Sequence, residues 1–246
     1  MKQAILMNIG NTHTSIQVWR GSLAESAKLL TLDLAKATAV CQLTEAHREM
    51  PIVAACVVPG MRAVLQEKHA GQITWVTANM PHLPVDFSAV DVNTVGADRV
   101  ANAVAAATLL SLPAIVVDCG TCITFEAVDR GRRFRGGAIM PGRTMMMRAM
   151  AEQTGQLPLC ELDSTDLEIP FGTNTPQAMQ IGVNRAAVGG VERALRQMSA
   201  AMEGALSVVA VGGDAQFFIN HLPMVQAAPA SFTMHGLAAI AAALPA

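Results

Sequence analysis

The stretch that decides the fold is LMNIGNT at residues 6–12, because a similar stretch, VVDCGT, returns at residues 116–121. Each copy has the pattern of a buried strand that ends in a polar residue, followed by a glycine turn that carries threonine. A second apolar strand is expected after each turn, at residues 15–19 and 123–128. Two such copies in one chain indicate an internal duplication. The sequence therefore predicts two similar halves.

The remaining elements are expected to alternate between strand and helix. Apolar, β-branched runs indicate further strands at residues 52–58, 73–76 and 208–211, and Ala-rich stretches at 100–110 and 177–197 are typical of helices. The Gly- and Arg-rich residues 131–142 are expected to form a hairpin turn followed by a loop. This alternation indicates an α/β fold.

The boundary between the halves is expected near Leu112-Pro113, which gives residues 1–112 and 113–246. No long linker separates the halves, so we expect them to pack against each other. A cleft between two packed domains is a frequent place for a small-molecule site.

Composition narrows the class of partner. Charged residues make up only 15% of the chain and the formal net charge is −2, so no strong positive field would attract nucleic acid or an anionic membrane. No apolar run reaches the roughly 20 residues that a membrane span requires. The start of the chain reads as a strand and not as a signal peptide. We expect a cytoplasmic protein that binds small molecules.

The two repeated turns have the parts of a phosphate site. Glycine lets the backbone approach phosphate oxygens at residues 10–12 and 120–121, threonine and asparagine add hydrogen-bond donors, and Asp118 is suited to hold a cation or an ordered water. A third glycine turn, at residues 211–214, is expected to lie close to the nucleotide base or ribose. Each turn taken singly is also consistent with an ordinary hairpin. The chain has no GxxxxGK[ST] and no GxGxxG, so nucleotide binding is expected to use hairpins.

Between the repeats, Gly96-Ala97-Asp98-Arg99 precedes an Ala-rich helix. Phosphoryl transfer to an alcohol uses a carboxylate that takes the hydroxyl proton, and an acidic acceptor needs a cationic partner. Asp98 and Arg99 have these two chemistries side by side. The alternative is structural, since an acidic residue also suits the first turn of a helix.

Five motifs in order resemble those of the type III pantothenate kinases. The family reads Asp-x-Gly-Asn-Thr, Gly-x-Asp-Arg, Asp-x-Gly-Thr, Gly-Gly-x-Ile-x-Pro-Gly and Gly-x-Asn-Thr. Here the corresponding residues are 8–12, 96–99, 118–121, 136–142 and 172–175. The resemblance runs from residue 5 to about residue 215. It implies the duplicated ribonuclease-H-like fold of the actin-like ATPases.

The resemblance also implies a reaction and its site. The reaction is transfer of the γ-phosphate of ATP to pantothenate, the first step of coenzyme A biosynthesis, in a homodimer that uses Mg²⁺ and a monovalent cation, K⁺ or NH₄⁺. Asp98 is the implied proton acceptor, Asp118 the implied cation ligand, and pantothenate is implied to contact Gly96, Ala97, Arg99 and Thr175. The implied ATP contacts are Asn8, Ile9, Gly10, Asn11, Thr12, His13, Thr14, Ser15 and Thr121.

Position 8 departs from the family pattern, because it carries Asn where the family has Asp. A neutral amide lacks the negative charge that helps to hold Mg²⁺ beside a triphosphate. A second hypothesis is therefore a kinase-fold relative with impaired catalysis that acts as a binding or regulatory protein, such as a transcription accessory factor. The chain also lacks the Tyr and Pro that usually precede Gly-x-Asp-Arg, so a third hypothesis keeps the chemistry and changes the acceptor.

Overall fold

The computed structural model describes residues 1–33, 46–47, 49–69, 71–162 and 167–245. Contacts within the chain group it into two compact units. The first unit comprises Met1–Ala114, Glu126–Gly136 and Pro229–Ala246, and the second comprises Ile115–Phe125 and Gly137–Ala228. The division into residues 1–112 and 113–246 stays a prediction about the duplication.

Strands and helices alternate through the described residues. The strands are β1 Ala4–Ile9, β2 His13–Trp19, β3 Leu23–Leu30, β4 Ile52–Cys56, β5 Ile73–Trp75, β6 Ala114–Cys119, β7 Cys122–Val128, β8 Phe134–Gly136, β9 Ile139–Pro141, β10 Ser207–Val211 and β11 Gln226–Ala227. The helices are α1 Pro59–Lys68, α2 Ala97–Leu109, α3 Arg143–Gln153, α4 Thr175–Ala200, α5 Ala215–His221 and α6 Phe232–Ala243. All the strands and helices expected from the sequence patterns are present, with ends that shift by a few residues.

The first sheet has the strand order β3-β2-β1-β4-β5. Strands β1, β2 and β3 form an antiparallel meander, and β4 and β5 continue the sheet in parallel with β1. Strand β1 is buried along nearly its whole length, as its unbroken apolar run predicts. Its side chains join those of β2 and β4 in one apolar core.

The second sheet repeats this order. Its strands follow one another as β11-β10-β6-β7-β8, with β9 also paired to β7. Counted from their own first strands, β1 and β6, both sheets have the order 3-2-1-4-5 when the short strand β9, which lies off this path, is left out of the count. The repetition of one topology confirms the duplicated α/β fold that the repeated motifs predict.

The predicted loop within residues 131–142 is wrong in one respect, because this segment contains two short strands. Strand β8 pairs with the end of β7, and β9 pairs with the start of β7 through Thr124 and Ile139. Glycine and arginine carry little strand preference, so only the neighbouring strand makes this backbone extended.

Helices α2 and α6 pack closely in the first unit. A side chain at Gly236 would collide with the carbonyl group of Ala101, so glycine allows the two backbones to approach. The hydroxyl of Thr233 donates to the Asn102 Oδ1 at 2.7 Å and ties the same helices together. This packing fixes α2, whose first turn carries Asp98 and Arg99. Within the described ranges, no helix is both long enough and apolar enough to cross a bilayer.

Candidate active site

The predicted acid and base lie in the first turn of α2. Gly96 is the residue before the helix, and a side chain there would come within 2.7 Å of the Asp98 carboxylate. Asp98 accepts a hydrogen bond from the Arg99 backbone N–H at 2.8 Å. Burial raises the pKa of Asp98 above the ordinary value of a carboxyl group, although the Arg99 N–H and charge oppose this effect. Ala97 is buried and can reach a ligand only through its backbone.

Arg99 is held by two partners in the first unit. Its Nε donates to the Glu126 Oε1 at 2.9 Å, and its guanidinium lies 5.6 Å from the ring centre of Phe134. The Glu126 side chain is completely buried and that of Arg99 is 14% exposed. A buried carboxylate requires such a partner, because an unpaired charge in the core is costly. Arg99 is therefore fixed in place as a cation at the start of α2.

Hydrogen bonds from Thr31 stabilise the β1–β2 turn. The Thr31 hydroxyl donates to the Gly10 carbonyl at 2.7 Å and lies 3.1 Å from the hydroxyl of Thr14. The Thr31 backbone N–H donates to the carbonyl of Thr12. These bonds hold the turn in one shape while Asn11, Thr12 and His13 remain exposed.

The other residues predicted to bind ATP here are less accessible. Ile9 and Thr14 are fully buried, so their side chains belong to the core. Ser15 is partly exposed on β2. The Asn8 Oδ1 is buried and has no hydrogen-bond partner among the described residues. A buried polar atom without a partner is uncommon, and a bound ligand or ion would satisfy it.

In the second unit, Asp118 is the last residue but one of β6 and lies beside the turn at residues 212–214. Gly212 has a φ of 95°, a conformation that favours glycine, and a side chain there would come within 2.8 Å of the Asp118 Oδ1. The Asp214 backbone N–H donates to the carbonyl of Cys119 at 3.0 Å. The glycine turn at residues 211–214 therefore lies directly against the end of β6.

Thr121 lies in the β6–β7 turn, and the backbone of Gly142 packs closely against it. Its carbonyl accepts a hydrogen bond from the Gly142 N–H at 3.0 Å, and a side chain at Gly142 would come within 3.1 Å of the Thr121 carbonyl carbon. The second unit thus brings together the turns at residues 118–121 and 212–214 and the start of α3 at Gly142.

Thr175 is the first residue of α4 and is exposed. Asn174 caps this helix by accepting a hydrogen bond from the Gln177 N–H at 3.0 Å, and the Gln177 side chain accepts one from the Thr173 N–H at 2.8 Å. This reciprocal arrangement satisfies two backbone donors at the helix start. It presents Thr175 at a rigid helix terminus.

Four residues were missed by reasoning from the sequence. Glu126 and Thr31 lie in the first unit. Arg143 and Asn184 lie in the second unit, where Arg143 donates to the Asp214 carboxylate and to the Asn184 Oδ1. A charged residue inside the apolar run of β7 was a usable signal for Glu126, because a buried carboxylate implies a nearby cation. Arg143 directly follows a recognised motif but carries no distinguishing local pattern. Thr31 and Asn184 had no signal in the sequence.

Solved structures of similar proteins identify the fold of this chain. The chain aligns with a conserved putative Baf family transcriptional activator from Campylobacter jejuni at a TM-score of 0.64 and 19% identity, over 96% of each chain. It aligns with a putative 2-dehydro-3-deoxygalactonokinase from Sinorhizobium meliloti at 0.62 and 14% identity, over 99% of this chain and 100% of that one. These likenesses show the fold, which is that of the actin-like ATPases and sugar kinases.

The family follows from the sequence relatives. A family model described as type III pantothenate kinase matches residues 4–197. A type III pantothenate kinase from Desulfatibacillum aliphaticivorans is 32% identical over 75% of this chain and 73% of its own. One from Chlorobaculum parvum is 31% identical over 90% of this chain and 87% of its own. The chain belongs to the type III pantothenate kinase family. The kinase prediction is confirmed, and the hypothesis of a noncatalytic binding protein is not favoured.

Proposed function

We propose that this enzyme transfers the γ-phosphate of ATP to the terminal hydroxyl of pantothenate, giving phosphopantothenate and ADP, the first step of coenzyme A biosynthesis. The observation that carries the proposal is the pair at the start of α2: a carboxyl group with a raised pKa beside a fixed guanidinium. A general base and an anion clamp are the two groups that phosphorylation of an acidic alcohol requires.

Asp98 acts as the proton acceptor. As the hydroxyl oxygen of pantothenate forms its bond to the γ-phosphorus, the bond from that phosphorus to the ADP oxygen breaks, and the hydroxyl proton passes to the Asp98 carboxylate. A base whose pKa is raised holds this proton more strongly than an ordinary carboxylate, which favours the transfer. The neighbouring Arg99 N–H restricts the orientation of the carboxyl group.

Arg99 binds the carboxylate of pantothenate. Glu126 accepts from the Nε of Arg99, and a guanidinium has further donors that match a carboxylate. Gly96 and Ala97 offer backbone at the positive end of α2, which favours an anion. Thr175 contributes a hydroxyl from the start of α4. The hypothesis of a different acceptor, another hydroxy acid, would use these same side chains and backbone groups.

ATP binds to the glycine turns. In the first unit, the exposed Asn11, Thr12 and His13 and the partly exposed Ser15 contribute side chains, while Ile9, Gly10 and Thr14 contribute backbone or hold the turn in shape. In the second unit, Thr121 contributes a hydroxyl, and the turn at residues 211–214 contacts the base or ribose. Backbone turns of this kind present N–H groups to phosphate oxygens.

ATP and a divalent metal ion are what this class of kinase uses, and the residues present fit Mg²⁺. The described residues contain no group of three or more His, Cys, Asp or Glu side chains suited to a metal ion. This fits Mg²⁺ in a kinase, which is held largely by phosphate oxygens and water. We propose the Asn8 Oδ1, to which no other described residue hydrogen-bonds, as its oxygen ligand and Asp118 as the ligand of K⁺ or NH₄⁺. When bound, Mg²⁺ neutralises charge on the transferring phosphate.

We also propose a cytoplasmic homodimer that acts on pantothenate and ATP without a nucleic acid or membrane partner. Exposed apolar side chains on the second unit support a self-association surface, since Phe171 is 79% exposed and Leu159 is 66% exposed. Light scattering at several protein concentrations tests the dimer, and a monomer at all concentrations would contradict it.

The test of the proposed reaction is a coupled assay of ADP release, with mass spectrometry of the product. ATP, Mg²⁺ and KCl are present in every reaction, and pantothenate is compared with other hydroxy acids of similar size. We expect ADP release that requires pantothenate, with one phosphoryl group added to it. Equal ADP release without pantothenate, or a higher kcat/KM for another hydroxy acid, would contradict the proposal.

A further inference from the structure

Arg143 is a buried cation in the second unit that has no part in the proposed chemistry. It is the first residue of α3, and its side chain is only 8% exposed. Its Nε donates to the Asp214 Oδ2 at 2.7 Å, and its Nη2 donates to the other carboxylate oxygen. This two-point geometry allows one relative orientation of arginine and aspartate.

Two further partners fix the guanidinium. The Nη1 of Arg143 donates to the Asn184 Oδ1 at 2.8 Å, and the ring centre of Phe217 lies 3.5 Å from the guanidinium carbon. Asn184 is fully buried on α4, and Phe217 is buried on α5. The side chain of Arg143 therefore links three helices of the second unit.

Asp214, which Arg143 holds in one orientation, is also hydrogen-bonded to the end of β6. Its backbone N–H donates to the carbonyl of Cys119, and the preceding Gly212 lies against Asp118. The position of the turn at residues 212–214 is thus set on one side by Arg143 and on the other by the strand end.

A contribution to stability alone does not account for this arrangement. A cation at the start of a helix is opposed by the helix dipole. Moreover, this ion pair is largely removed from water, with the Asp214 side chain 29% exposed, and such pairs usually stabilise a protein no better than apolar side chains of the same volume. The two-point contact of the Arg143 guanidinium additionally fixes the orientation of the Asp214 carboxylate.

We infer that Arg143 is a positioning residue for ATP, which acts through Asp214 to hold the turn at residues 212–214 against Asp118. This inference rests on the proposed binding of ATP to these turns. Arg143 itself has no contact with the reacting groups in this assignment. Loss of this two-point contact should therefore weaken ATP binding. It should leave pantothenate recognition, which depends mainly on Arg99 in the first unit, nearly unchanged.

The experiment measures ATP affinity by isothermal titration calorimetry and KM for ATP and for pantothenate separately. Arg143→Met should raise the Kd and KM for ATP roughly 10- to 100-fold, the range typical of residues that orient direct ligands, with a KM for pantothenate within about twofold of the unchanged enzyme. Arg143→Lys keeps the charge and loses the two-point contact, so it should recover only part of the affinity.

The matched control is Arg196→Met, which removes an arginine from an exposed ion pair with Glu192 on α4. It should leave both KM values unchanged. Asp214→Asn should mimic Arg143→Met, and the double variant should be no weaker than either single one, because both remove the same link. If Arg143→Met does not fold, Arg143→Lys and Asp214→Asn decide the question.

The outcomes separate the inference from the proposed function. Wild-type ATP affinity in folded Arg143→Lys and Asp214→Asn would overturn the inference, and so would equal increases in the two KM values. Normal ATP binding by the unchanged protein without phosphorylation of pantothenate would contradict the proposed acceptor, and calorimetry would still test the role of Arg143.

Discussion

The guanidinium of Arg99 and the carboxylate of Glu126 form a buried ion pair, with 2.9 Å between the Arg99 Nε and the Glu126 Oε1. Arg99 lies in the first turn of α2 and Glu126 lies on β7. The Glu126 side chain has no exposed surface, and Arg99 supplies a compensating positive charge beside it. The proposed pantothenate clamp is thus part of the core of the first unit as well as part of the site.

Removal of the clamp should affect both stability and binding. Arg99→Met leaves the Glu126 carboxylate buried without its cation, which should lower the free energy of unfolding by about 3–5 kcal/mol. Urea denaturation measures this change. Glu126→Gln in the same background should recover part of the loss, because the neutral amide is less costly to bury.

The corresponding kinetic test uses Arg99→Lys, with Arg133→Met as the control for loss of an exposed arginine. Arg99→Lys should raise KM for pantothenate and leave KM for ATP unchanged, since lysine cannot bind two oxygens as a fork. An unchanged KM for pantothenate would show that the acceptor carboxylate is bound elsewhere.

Asp98→Asn should abolish most of the turnover. The amide cannot accept the hydroxyl proton, so kcat should fall roughly 10²- to 10⁴-fold while ATP binding is retained. Initial rates of ADP release and calorimetric ATP titration measure the two effects. Asp86→Asn makes the same chemical change at a half-exposed carboxylate of the same unit and should be neutral. Retained turnover in Asp98→Asn would remove this residue from the mechanism.

Asp98→Asn should also make the folded protein more stable at neutral pH. Burial raises the pKa of Asp98 in the folded state, so its protonated form favours folding. That contribution is present below the unfolded pKa of about 3.9 and is lost as the pH rises through the folded-state pKa. Asp98→Asn should therefore have the higher Tm well above this window, and the difference should shrink as the pH falls through it. A lower Tm for Asp98→Asn at neutral pH would contradict the burial of this charge.

Asn8→Asp should increase the affinity of the enzyme for Mg²⁺ in the presence of ATP. The carboxylate adds a negative charge at a buried oxygen that has no hydrogen-bond partner within the described part of the chain. In EDTA the variant should melt at a lower temperature than the unchanged protein, because the added charge is uncompensated. Mg²⁺ with ATP should reverse this difference and lower the Mg²⁺ concentration needed for half-maximal rate. If the Tm difference is the same with and without Mg²⁺–ATP, position 8 does not face the metal ion.

Gly212→Ala should disturb the second unit and its proposed ATP turn. Alanine is strained at a φ of 95°, and its methyl group would lie 2.7 Å from the Cys119 carbonyl carbon. The backbone strain alone should cost about 1–3 kcal/mol, and the displaced turn should weaken ATP binding. Thermal denaturation and ATP titration measure the two effects. Gly189→Ala is the control, because this helical glycine has open space around it and alanine favours a helix.

Much of the fold follows from local pattern. Strand β1 was predictable because its apolar run is long enough to be buried on both faces, and β6 repeats it. The start of α2 was predictable because Gly96 precedes a long Ala-rich stretch. The β8 and β9 strands were not, since their glycines and arginines become extended only through pairing with β7.

The sequence determined most of the strands and helices, the duplicated motifs and the proposed site residues Asp98, Arg99 and Asp118, because each of these is recognisable within a short stretch of the chain. Only the tertiary structure decided that Arg99 meets Glu126 and that Arg143 meets Asp214, pairs separated by 27 and 71 residues. No local periodicity encodes such partners. Folding selects them, because a charge removed from water is tolerated only where the surrounding elements bring an opposite charge to it.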